Sequence, residues 1–100
     1  MPSIYEIEEA YRRTWEAVDK LKKKYKTIYF VRINYGKPIS KRVKRTTFAF
    51  DYAVANITKN DLKRLEKLIK EWRKQLPNMK ILEQIEAIIS KYPFVCGYFL

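Results

Sequence analysis

Two runs of strand-forming residues joined by a basic, acid-free connection constrain this chain more than any other feature. Residues 27–35 and 46–54 are rich in β-branched and aromatic side chains, the types that suit a pleated, half-buried surface. Between them, residues 36–45 hold Gly36 and Pro38, which is turn chemistry, and five bases, Lys37, Lys41, Arg42, Lys44 and Arg45, without an acid. The pattern predicts a β-hairpin with a basic tip. Val43 and Ile39 leave two options for that tip, an extension of the ladder into an arm or an irregular loop.

Side chains alternate with period two along a strand. Tyr29, Val31, Ile33 and Tyr35 therefore share one face of the first run, and Phe48, Phe50, Tyr52 and Val54 share one face of the second. The opposite faces carry Ile28, Phe30, Arg32 and Asn34, and Thr47, Ala49, Asp51 and Ala53. In the second run one face is aromatic and the other small or polar, the signature of an antiparallel sheet covered on one side.

Helical periodicity flanks the hairpin. Ser3 followed by Glu6 is a capping box, and Ile4, Ile7, Tyr11, Trp15, Val18, Leu21 and Tyr25 recur at three or four residues as one apolar stripe. Lys22, Lys23 and Lys24 close this helix as its dipole prefers. Thr58 with Asp61 repeats the start signal, and Leu62, Leu65, Leu68, Ile69, Trp72 and Leu76 form the next stripe. At about 100° per residue, Lys59, Lys63, Lys67, Lys70 and Lys74 fall within about 80° of arc opposite those leucines. Glu66 interrupts this row at a spacing that permits an i, i+4 pair with Lys70. Pro77 and Asn78 end that helix and start another, with Ile81, Leu82, Ile85, Ile88, Ile89 and Tyr92 on its apolar face and Pro93 as its stop. Residues 94–100 are apolar on both faces and predict a buried strand, in this sheet or across a dimer. The expected architecture is α+β: an antiparallel three-stranded sheet with helices on one face, in the order α-β-β-α-α-β.

One hundred residues make one domain, 1–100, that buries roughly 65% of its unfolded surface without metal or disulfide staples. The lone Cys96 predicts a small buried hydrophobe in a reducing compartment. No basic-then-apolar leader opens the sequence, and no run approaches the roughly 18 apolar residues of a membrane span. The expected location is cytoplasmic. Abundant Lys, Glu, Ile and Tyr, absent His and only two Gln also resemble thermophile usage.

Twenty-two Lys and Arg oppose eleven Asp and Glu, a net charge of +11. Residues 26–54 account for +6 and residues 55–79 for +4. Charge concentrated in this way creates a field suited to a nucleic acid or an acidic protein. A membrane-surface role fits poorly, because the leucines opposite the lysine row are needed in the core.

Catalysis has little to work with. Without His, the commonest general base and metal ligand are missing, and one Cys excludes a thiolate zinc site. Glu6, Glu8 and Glu9 lie in a capping turn, Glu83 and Glu86 are helix charges one turn apart, and Asp51 stands alone on a strand. No metal and no cofactor is expected. One enzymatic class remains, a metal-independent endoribonuclease using Arg, Lys and Tyr to stabilise charge on the phosphate.

The expected function is DNA or RNA binding with little sequence specificity. Lys37, Lys41, Arg42, Lys44 and Arg45 would meet phosphates or enter a groove as a two-stranded ribbon, with Lys59, Lys63, Lys67, Lys70 and Lys74 following the backbone beside them. Tyr29 and Tyr35 would add stacking for single strands. The alternative is a homodimeric protein-interaction module, built on the C-terminal strand or a helix face, whose basic tip grips an acidic partner. A ribbon-helix-helix layout is the nearest small DNA-binding arrangement, but here a long helix precedes the first strand and another strand follows the last helix.

Overall fold

The computed structural model of the protein describes residues 3–34 and 49–98. The helices are α1 (Ile4–Lys24), α2 (Lys59–Lys74) and α3 (Met79–Ile89), and the strands are β1 (Ile28–Asn34), β2 (Ala49–Ala55) and β3 (Phe94–Gly97). The expected α+β class and element order hold. The hairpin tip, with Lys37, Lys41, Arg42, Lys44 and Arg45, lies outside the described residues.

Each helix starts where its capping residue stands. Ser3 Oγ accepts from the Glu6 amide at 3.2 Å while Glu6 Oε2 accepts from the Ser3 amide at 3.3 Å, a complete capping box. Thr58 Oγ1 accepts from the Asp61 amide at 3.2 Å, and Asn78 Oδ1 accepts from the Lys80 and Ile81 amides. A cis Leu76–Pro77 bond lies in the α2–α3 turn.

The sheet order is β1-β2-β3, all antiparallel. Arg32 stands opposite Asp51, and Asp51 opposite Gly97. The two helices between β2 and β3 carry the chain back so that β3 joins the side of β2 away from β1. The C-terminal strand is thus in this sheet, at its edge. Phe94 and Tyr98 remain 44% and 58% exposed, so the segment is half-covered rather than buried. The only strand beside it among the described residues is β2.

Helices cover both faces of the sheet, a correction to the expectation of one. The main core joins α2 and α3 to the face bearing Ile33 and Val54, with Tyr29, Val31 and Tyr52 packed at its margin. Trp72, Leu65 and Ile85 are fully enclosed there. On the opposite face Val18 of α1 packs on Ala53, surrounded by Trp15, Leu21, Ile28 and Val95. The physical reason lies in Ala53, Ile28 and Val95: this face is narrower in apolar content but sufficient to seat one helix.

The stripe of α1 is used only in part. Val18 is its one buried residue, whereas Ile4 and Tyr5 are 72% and 83% exposed. A helix of 21 residues is about 31 Å long, and a seven-residue strand such as β2 is about 23 Å. The first turns of α1 leave Ile4, Tyr5 and Ile7 exposed.

Two further expectations are corrected. Cys96 is exposed, not buried, because its position on β3 places it at the sheet edge. Helix α3 ends at Ile89, before Pro93, and Ser90 Oγ donates to the Glu86 carbonyl at 2.6 Å. Tyr92 therefore sits in the following turn.

Candidate nucleic-acid interface

Lysine spacing on α2 produces a charged surface because the opposite side of that helix is committed to the core. Leu65, Leu68, Ile69 and Trp72 are buried, so Lys59, Lys63, Lys67, Lys70 and Lys74 are held outward and all five are exposed. Arg64 and Arg73, which arc geometry at about 100° per residue places on either side of the row, are exposed too. The sequence signal for them was present: widening the arc to include arginines finds both.

Several acids outside α2 are engaged elsewhere, whereas Glu66 and Glu71 of α2 lie on the flanks of the row and form no ion pair among the described residues. On α1, Glu9 bonds both Arg12 at 3.3 Å and Arg13 at 3.0 Å, and Glu16 bonds Arg12 at 3.0 Å. Asp51 pairs with Arg32 across the sheet. Asp61 at the start of α2 accepts from the Tyr92 hydroxyl, which also lies 3.3 Å from Thr58 Oγ1, and Lys91 Nζ is 3.7 Å away. The Tyr92 hydrogen bond, followed by the Lys91 charge, holds the Asp61 carboxyl below the usual carboxylate range. None of the seven α2 cations forms an ion pair with a carboxylate among the described residues. The spacing of Glu66 to Lys70 permits a bridge, but none forms.

The root of the basic connection lies beside the same helix. Trp72, almost fully enclosed, donates its indole N–H to the carbonyl of Asn34, the last residue of β1. The chain therefore leaves β1 next to the C-terminal half of α2, where Lys70, Arg73 and Lys74 stand. Periodicity alone did not reveal this proximity, since residues 34 and 72 meet only through the tertiary fold.

Between β1 and α2 runs an open cleft of about 300 Å³. Tyr29 and Val31 line it from the strand and Leu62 and Ile69 from the helix, with Glu66, Lys70 and Arg73 at its rim. Tyr29 is half-buried at the core margin, so of the two tyrosines expected to stack, this one lies in the cleft and Tyr35 lies outside the described residues.

Among the described residues no group of three or more Cys, Asp or Glu side chains is arranged to hold a metal ion, and no helix is long and apolar enough to cross a membrane. No protein-family model matches the sequence, and no curated protein or solved structure matches it either.

Proposed function

We propose that the protein binds nucleic acid through phosphate contacts made by α2 and the basic connection after β1. The observation that carries this reading is the exposed cationic face of α2, whose seven Lys and Arg form no ion pair among the described residues and outnumber Asp61, Glu66 and Glu71 on the same helix. A row of exposed like charges has a repulsive self-energy that a polyanion relieves, with release of condensed counterions. Backbone contacts of this kind position a protein without reading sequence, which supports weak selectivity.

The test is binding to labelled DNA and RNA between about 50 and about 400 mM salt. With six to eight phosphate contacts, log K falls against log salt with a slope of about 5 to 7 on duplex DNA. Changing Lys63, Lys67, Lys70 and Lys74 to Ala should weaken binding to all sequences alike and flatten the slope by about 3 to 4. No binding at the lowest salt would defeat the reading.

One observation favours a second reading, a homodimer. Ile4 and Ile7, one turn apart on the same side of α1, are 72% and 50% exposed at its start, an apolar helix face of the kind that partners cover. Sedimentation that finds only monomer at tens of micromolar would reject it. A dimer would bring two cationic faces to one polymer, so the readings are compatible.

A further inference from the structure

The cleft between β1 and α2 adjoins the cationic face and differs from it in chemistry. At about 100° per residue, Ile69, Leu62, Arg73, Glu66 and Lys70 follow one another around α2 over an arc of about 100°, and the lysine row continues from Lys70. A ligand seated on the lysines therefore reaches the cleft without leaving the surface. Its floor, Tyr29, Leu62 and Ile69, is aromatic and aliphatic, and three cations line it, Lys70, Arg73 and Arg32, the last already paired with Asp51.

We propose, building on the phosphate-binding reading above, that this cleft takes an unpaired nucleobase, so that the ligand is single-stranded nucleic acid. Three observations select this occupant. The cleft, at about 300 Å³, is at the lower end of small-ligand sites; it suits one flat ring, whereas bases within a duplex stay stacked on their neighbours. Tyr29 offers the ring on which a base stacks, and its hydroxyl makes no hydrogen bond to another protein group among the described residues. Glu66 is exposed at the rim and has no ion-pair partner among the described residues, a poor neighbour for phosphate and a good acceptor for a base amino group.

The roles then separate by chemistry. Lys70 and Arg73 hold the phosphates on either side of the inserted nucleotide, Tyr29 stacks on its base, and Glu66 accepts a hydrogen bond from an exocyclic amine. A carboxylate only accepts, so it favours cytosine, whose exocyclic N4 donates at the edge of the base, over thymine, whose one donor, the ring N3–H, is flanked by two carbonyl oxygens that repel a carboxylate.

The experiment is fluorescence anisotropy at one salt concentration with labelled oligo(dC), oligo(dT) and a duplex, each about twelve nucleotides long, within the range of small single-strand sites. The expected order is oligo(dC) at least about fivefold tighter than oligo(dT), and both single strands tighter than the duplex, as one stacked base adds at least about fivefold. In Glu66→Gln the preference for oligo(dC) collapses, since an amide donates as well as accepts; a purely electrostatic Glu66 would instead let both affinities rise together and keep their ratio. Tyr29→Leu, which keeps the apolar volume, weakens oligo(dC) binding at least about fivefold. Should that variant fail to fold, the Glu66→Gln ratio at an exposed site decides alone. Duplex bound as tightly as single strands, or equal affinity for the two pyrimidines, overturns the cleft while leaving phosphate binding intact. Failure of every polymer to bind overturns both.

Discussion

Arg32 and Asp51 face each other across β1 and β2 as a bidentate pair, Nε to Oδ1 at 2.7 Å and a terminal nitrogen to Oδ2 at 2.9 Å. Asp51 is largely covered and Arg32 is half exposed, which makes the pair asymmetric. Losing the guanidinium leaves a covered carboxylate without its partner, whereas losing the carboxylate returns a solvated cation to water. Arg32→Gln should therefore cost about 1 to 2 kcal/mol and Asp51→Asn about 1 kcal/mol or less. Urea unfolding of the two variants checks this, and equal losses would remove the asymmetry.

Gly97 lets α1 approach β3. A Cβ there would stand 2.5 Å from Thr14 Oγ1 and 2.6 Å from Thr14 Cγ2. Rotating Thr14 offers no escape, because both branches and the Cβ itself, at 3.1 Å, crowd the same point. Thr14 Oγ1 is also held by donating to the Ala10 carbonyl at 2.7 Å. Gly97→Ala should destabilise by about 1 to 3 kcal/mol through overpacking, and adding Thr14→Ala should restore part of it. Calorimetry of the single and double variants measures the recovery.

Tyr92 and Asp61 tie the turn after α3 to the start of α2, and the bond carries a pH dependence. The folded-state carboxyl is depressed, so the folded protein binds this proton less readily than the unfolded chain. The contribution is present above the ordinary carboxylate value of about 4 and disappears as pH falls through the lower folded value. Thermal midpoints recorded from neutral pH downward should fall more steeply in the wild type than in Tyr92→Phe. Parallel curves would show that Asp61 has no such linkage.

Cys96 is accessible yet should react slowly. Partial burial raises its thiol above the usual range, the Asp51 charge adds to that, and a hydrogen bond with Tyr52 acts in the opposite direction. Since the thiolate is the nucleophile, iodoacetamide at pH 8 should label the folded protein more slowly than the urea-unfolded chain. Asp51→Asn should quicken labelling of the folded form, and an unchanged rate would leave desolvation as the sole cause.

Local chemistry was legible at the helix starts. Ser3 with Glu6 and Thr58 with Asp61 needed only neighbours within one turn, and the stripe on α2 correctly placed Lys59, Lys63, Lys67, Lys70 and Lys74 outward. The side taken by α1 was not legible, because Ile28, Phe30, Ala53 and Val95 read as a thin apolar face whose cover depends on β3 joining β2. Nor was the fate of Cys96, an alternating apolar residue whose exposure follows from its strand lying at the edge.

By itself the amino-acid order determined the secondary structure, the caps and the segregation of charge, all of which arise from interactions within a few residues or from helical and strand periods. Only the tertiary structure decided that helices cover both faces, that Trp72 meets Asn34, and that Tyr29 joins Leu62, Glu66 and Arg73 around one cleft. Those contacts join residues more than thirty positions apart, and they are set by which apolar faces can be buried together, a competition that no local pattern records.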